Sequence, residues 1–140
     1  MALPSTTVRE RLPTVQDDEL RVLIVEDERR ATSLLQHLQL KEDSGAKVAH
    51  DRGNALALAN SGSYDVVMLQ VPMRGADTSE LCRQIRAAGV LTPILLLAKR
   101  GSVDQIIAAL NAGADDFMIE PVGTEPLMAR LYTFKRRHAR

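Results

Sequence analysis

The chain has 140 residues, 45% hydrophobic and 26% charged, a composition that supports one ordinary globular domain with a real core and leaves no room for a second. Lys+Arg and Asp+Glu both count 18, which excludes the global positive field that draws a protein to nucleic acid or to an anionic membrane surface. No apolar run reaches membrane-spanning length, the first residues lack the apolar stretch of a signal peptide, and Cys82 is the single cysteine; a cytoplasmic location, no membrane contact and no disulfide or cysteine metal cluster are expected.

In chain order, residues 1–19 carry Pro4 and Pro13 among polar residues without periodicity and are read as a flexible N-terminal extension. Arg21-Val22-Leu23-Ile24-Val25 is a short unbroken apolar run, the pattern of a strand covered on both faces, with Glu26-Asp27-Glu28 at its carboxyl end. Ala31, Leu34, Leu35 and Leu38 follow at helical spacing, with His37 off that stripe and read as solvated. Ala46 to Ala49 alternates like an edge strand, and Ala55 to Ala59 reads as a short helix ending at Gly62.

Val66-Val67-Met68-Leu69 is again a buried strand, ending on the polar Gln70 and a loop of turn formers. In open α/β sheets the ligand crevice lies outside the carboxyl ends of the strands; chemistry is therefore expected at Gln70. Asp77-Thr78-Ser79-Glu80 has capping-box spacing and opens a helix with Leu81, Cys82 and Ile85 on its apolar face. Ile94 to Ala98 is a fourth strand. Ser102 to Gln105 is a second capping box, opening a helix whose core face is Val103, Ile106, Ile107 and Leu110. Phe117-Met118-Ile119 is a fifth strand, and Thr124 caps a last helix that buries Leu127, Leu131 and Phe134. Strands alternating with helices predict a parallel sheet with helices on both faces, because each right-handed crossover needs a helix.

The acidic pair Glu26-Asp27, the run YDVVML before Gln70, TPILLLA in the fourth strand and GADDF with a following EP resemble the receiver domain of bacterial response regulators, over Leu20 to about Arg137. The resemblance implies a flavodoxin-like three-layer fold, a five-stranded parallel sheet in order 2-1-3-4-5 with five helices. Residues 20–137 form that domain, and 138–140 are a basic tail or the start of a linker. Ala129-Arg130-Leu131 with Arg136-Arg137 looks most like the OmpR/PhoB class, which implies a downstream DNA-binding domain not in this chain.

The family moves a phosphoryl group from a histidine kinase to an aspartate at the end of the third strand, with a divalent cation held partly by the acidic pair. Here that position is Gln70, and a carboxamide is neither a useful nucleophile nor an anionic metal ligand. The family's phosphoryl-contacting hydroxyl falls at Ala98 and its lysine at Glu120, so two donors are lost with the nucleophile. Arg74 and Thr78 also depart from the usual residues, whereas Glu26, Asp27 and the aromatic switch position Phe117 still match. An engineered Gln70 in an ordinary receiver would leave Ala98 and Glu120 unexplained.

The altered pocket brings Glu26, Asp27 and Glu120 together without the family's lysine, and clustered carboxylates need compensation. Lys99 or Arg74 is expected to supply it internally; the alternative is a hard cation on Glu26, Asp27 and Glu120. No cofactor, no resident metal and no catalytic residue are expected. The resemblance also implies a two-fold dimer through the last two helices and fifth strand, with Asp115, Asp116, Arg130 and Arg137 at matching positions and Pro126 in place of a frequent acidic residue. The function expected is an atypical, non-enzymatic receiver in two-component signalling or transcription regulation, acting through contacts with itself and an unnamed protein partner. The alternatives are a ligand-gated receiver binding a small molecule in the vacated pocket, and a conventional phosphoacceptor with an engineered Gln70.

Overall fold

The computed structural model describes residues 20–27, 33–38, 45–73 and 77–138. Arg74, Ala31 and the extension 1–19 lie outside them. The described residues alternate between five strands and five helices: β1 (Val22–Val25), α1 (Leu34–His37), β2 (Ala46–Ala49), α2 (Arg52–Ser61), β3 (Val66–Val71), α3 (Thr78–Ala87), β4 (Ile94–Ala98), α4 (Val103–Ala112), β5 (Asp116–Ile119) and α5 (Thr124–Arg137). All pairings are parallel and the order is β2-β1-β3-β4-β5, as expected.

The unbroken apolar strands follow from burial on both faces. Leu23, Val25, Val67, Leu69 and Leu96 pack under Ala55 and Ala59 of α2, Leu81 and Ile85 of α3, and Ile106 of α4. Their neighbours Val22, Ile24, Val66, Met68 and Leu95 point the other way, against Leu34 of α1 and Leu127, Leu131 and Phe134 of α5, because successive strand side chains alternate faces. Three layers result, with β1, β3 and β4 wholly buried and β2 and β5 at the edges.

Local signals divide into those that act as expected and those that do not. Asp77 accepts the backbone N–H of Ser79 at 3.0 Å and of Glu80 at 3.3 Å, starting α3. Asp51 does the same for Asn54 at 2.8 Å, so α2 begins three residues before the apolar stretch that marks it in sequence. Ser102 is buried but makes no side-chain cap bond. Thr124 is not a cap: Gly123 holds that position, and the Thr124 hydroxyl donates to the His37 carbonyl at 3.1 Å. His37 itself is half-buried, with Nε2 3.1 Å from the Val122 carbonyl oxygen, so it ties α1 to the loop before α5 instead of standing in solvent.

The face of α4 also differs from the expected one. Ile106 and Ala109 are buried, whereas Val103 is 60% and Ile107 51% exposed. The helix carries apolar residues on two stripes, and the core has room for the one through Ile106 and Ala109. Beneath it, Arg86 of α3 donates to the carbonyls of Gly113 (3.1 Å), Val90 and Thr92 (both 2.8 Å). Gly113, at φ +132°, ends α4 in a left-handed conformation, and a Cβ there would stand 2.6 Å from Arg86 Cγ.

Candidate functional site

The order of the strands reverses between β1 and β3, and the carboxyl ends of β1, β3, β4 and β5 deliver Glu26-Asp27, Gln70, Ala98 and Glu120 to one pole. Such a switch point is where open α/β sheets form their crevice. Register fixes the set: Val25 lies beside Leu69, Gln70 beside Leu97, and Ala98 beside Ile119.

Gln70 is 4% exposed, and its side-chain oxygen accepts the backbone N–H of Asp27 at 2.7 Å. The amide thus bridges β3 to the acidic loop after β1, a neutral pin where an anion would be a nucleophile. Glu26 is 2% exposed, and its two carboxylate oxygens are both used: Oε1 accepts the Leu34 N–H at 2.8 Å and Oε2 the Ser33 hydroxyl at 2.9 Å. Ser33 in turn accepts the Leu35 N–H at 3.1 Å. Glu26 therefore serves the first turn of α1, where amide donors and the helix dipole favour a negative charge.

Ala98 is fully buried and brings no hydroxyl; its carbonyl accepts the Glu120 N–H at 2.7 Å. The Lys99 backbone N–H donates to the Val71 carbonyl at 2.9 Å, while its side chain is exposed and makes no ion pair among the described residues. Glu120 lines a small cavity of about 120 Å³ with Leu34, His37 and Leu97. Among the described residues no three His, Cys, Asp or Glu side chains are grouped so as to hold a metal ion. Glu26, Asp27 and Glu120, though delivered to one pole, form no such metal-holding group. The divalent cation implied by the fold family does not fit this donor set: Gln70 is neutral, and both oxygens of Glu26 are engaged by α1.

Beyond Gln70, a cleft of about 250 Å³ opens between the β3–α3 loop and α4, lined by Pro72, Met73, Asp77 and Gln105 among others. The Ser79 hydroxyl and the Glu80 N–H hold the Asp77 carboxyl below its usual range. Cys82, on the buried face of α3, has its thiol pushed up to about 11 by desolvation, which makes it an inert core group.

On the far face, Phe117 and Ile119 of β5 are partly exposed. The charges expected at a dimer face close within the chain. Asp116 pairs with Arg130 at 2.6 Å, and Asp115 accepts from Arg86 at 3.0 Å and from the Ile94 N–H at 2.7 Å. Arg137 lies apart from both, in a cleft with Tyr64, Asp65 and Leu91. Sequence reasoning missed the Arg86–Asp115 pair, 29 residues apart, and the work of Glu26 on α1.

Residues 22–132 match the family described as Response regulator receiver domain. The chain belongs to that family. It is 39% identical over 118 residues to the Transcriptional regulatory protein TcrA of Mycobacterium tuberculosis, covering 84% of this chain and 47% of the relative. It is 37% identical over 118 residues to the Response regulator MprA of Mycobacterium avium, with 84% and 52% covered. The chain thus spans about half the length of these curated relatives. The solved receiver domain of the Francisella response regulator 1452 aligns with a TM-score of 0.67 at 28% identity, over 84% of this chain and 98% of that one. This receiver domain of two-component signalling is therefore homologous to transcriptional regulators.

Proposed function

We propose that this receiver domain relays its signal through protein contacts without accepting a phosphoryl group. The observation that carries the reading is Gln70, a buried carboxamide whose oxygen is bound to the Asp27 N–H. No acyl phosphate forms on an amide. The reading is supported further by Ala98, which has no hydroxyl to follow a phosphoryl group, and by Glu120, whose charge repels one. Lys99 at the rim and Arg74 in the loop after Gln70 remain the candidates for balancing the pocket's acidic groups.

The contact surface is the α4–β5–α5 face. Val103 and Ile107 of α4 and Phe117 and Ile119 of β5 are exposed apolar residues, rimmed by the Asp116–Arg130 pair. An apolar centre with a charged rim is the composition of a protein interface, and a second copy in two-fold arrangement would cover the same residues on both sides. A DNA-binding domain downstream would then be brought to DNA as a pair, by analogy with the transcriptional regulator among the relatives. The test is sedimentation with and without acetyl phosphate and magnesium. Concentration-dependent dimers indifferent to the phosphodonor are expected; a dimer that forms only with the donor contradicts the proposal.

A further inference from the structure

At the opposite pole of the sheet, the segments leading into β3 and β4 and the last turn of α5 enclose an open cleft of about 430 Å³. Leu91 stands at it with 84% of its surface exposed, next to Pro93 and the ring of Tyr64. Lys135 and Arg137 bring two positive charges to the lining, where Asp65 is the single carboxylate among the described residues. That carboxylate is already committed, accepting the Arg21 N–H at 2.8 Å and facing the Lys135 ammonium at 3.7 Å. Arg137 is exposed and makes no ion pair among the described residues.

We propose that this cleft binds an acidic peptide segment of a partner protein. An apolar side chain of the peptide would cover Leu91, and a neighbouring carboxylate would pair with Arg137, whose planar fork matches a carboxylate. The physical grounds separate this occupant from others. Lys135 faces Asp65 and Arg137 is exposed, so a bare anion would be held weakly; the apolar contact must contribute. A nucleic acid needs a continuous basic track with stacking aromatics, and here an aliphatic Leu91 and the acidic Asp65 interrupt it. The assignment is independent of whether the Gln70 pocket takes up a phosphoryl group.

The test is an amide chemical-shift titration of the full ¹⁵N-labelled chain with acetyl-EELEE-amide. Shifts are expected around residues 63–65, 90–92 and 135–138, with affinity lowered at least about tenfold by Arg137→Glu or Leu91→Ser, both exposed positions that the core does not use. Acetyl-KKLKK-amide and inorganic phosphate should leave these amides unmoved. Absence of the shifts, equal shifts with the basic peptide or phosphate, or indifference to both substitutions would each overturn the proposal. So would a tenfold gain in peptide affinity when Asp17, Asp18 and Glu19 are replaced by their amides, since the chain's own acidic run would then be the occupant.

Discussion

The side-chain oxygen of Gln70 and the backbone N–H of Asp27 lie 2.7 Å apart, a hydrogen bond that joins the end of β3 to the acidic loop after β1. A carboxylate at this position could accept the same N–H and still attack phosphorus; the amide can only hold the loop. Replacing Gln70 by Met keeps the volume and removes the acceptor. A loss of about 1 kcal/mol in unfolding free energy is expected from one unsatisfied, partly buried donor, read as a lower urea midpoint with unchanged slope. Equal midpoints would mean that the bond does not hold the loop.

Glu26 offers a second test of the same pole. Because its oxygens serve Ser33 and the Leu34 N–H, Glu26→Ala should cost on the order of 2 kcal/mol by leaving a buried amide without an acceptor, and Glu26→Gln clearly less. Magnesium at millimolar concentration should stabilise the unmodified chain by no more than about 0.4 kcal/mol, the value when ligand concentration equals Kd. A large magnesium-induced rise in melting temperature would show that the acidic groups bind metal after all.

Asp77 governs the acid limb of stability at α3. Its folded-state pKa is depressed by the Ser79 hydroxyl and then the Glu80 N–H, so its contribution is present above the unfolded value and lost as the pH falls through the folded one. Asp77→Ala should therefore destabilise by about 1 kcal/mol at pH 7, the usual worth of an N-cap. The gap should close at a pH below both values. Parallel pH–melting curves for the two proteins would contradict this cap assignment.

The α4–β5–α5 face is tested at Ile107, 51% exposed and outside the core. Ile107→Glu should abolish dimers in sedimentation while leaving the melting temperature within a degree or two, since exposed substitutions move stability by about 0.5 kcal/mol or less. This variant is cleaner than Arg130→Glu, which would also set two carboxylates side by side at Asp116. A chain that is monomeric before substitution, at high micromolar concentration, removes the dimer.

How far the sequence speaks can be argued from particular residues. The strands are legible because Val22–Val25, Val66–Leu69 and Ile94–Ala98 are short apolar runs, and strands buried on both faces leave no other pattern. The positions of Gln70, Ala98 and Glu120 at one pole follow from ending such runs. What Glu26 does with its oxygens is not legible, because its partners Ser33 and Leu34 depend on the path of the intervening chain. The choice between the two apolar stripes of α4 is likewise invisible: Val103 and Ile107 are as apolar as Ile106, and only the packing of α3 against α4 decides which side is covered. Ser102 and Thr124 show that a capping signature marks a helix start more reliably than it assigns the bond.

The most direct measurement is the intact mass of the chain after incubation with acetyl phosphate and magnesium. No gain is expected in the unmodified protein, and Gln70→Asp should be labelled at least about a hundredfold more slowly than an ordinary receiver, because Ala98 and Glu120 withhold donors that each contribute on that scale. A stable gain of one phosphoryl group on a residue of the Gln70 pocket in the unmodified chain would contradict the account.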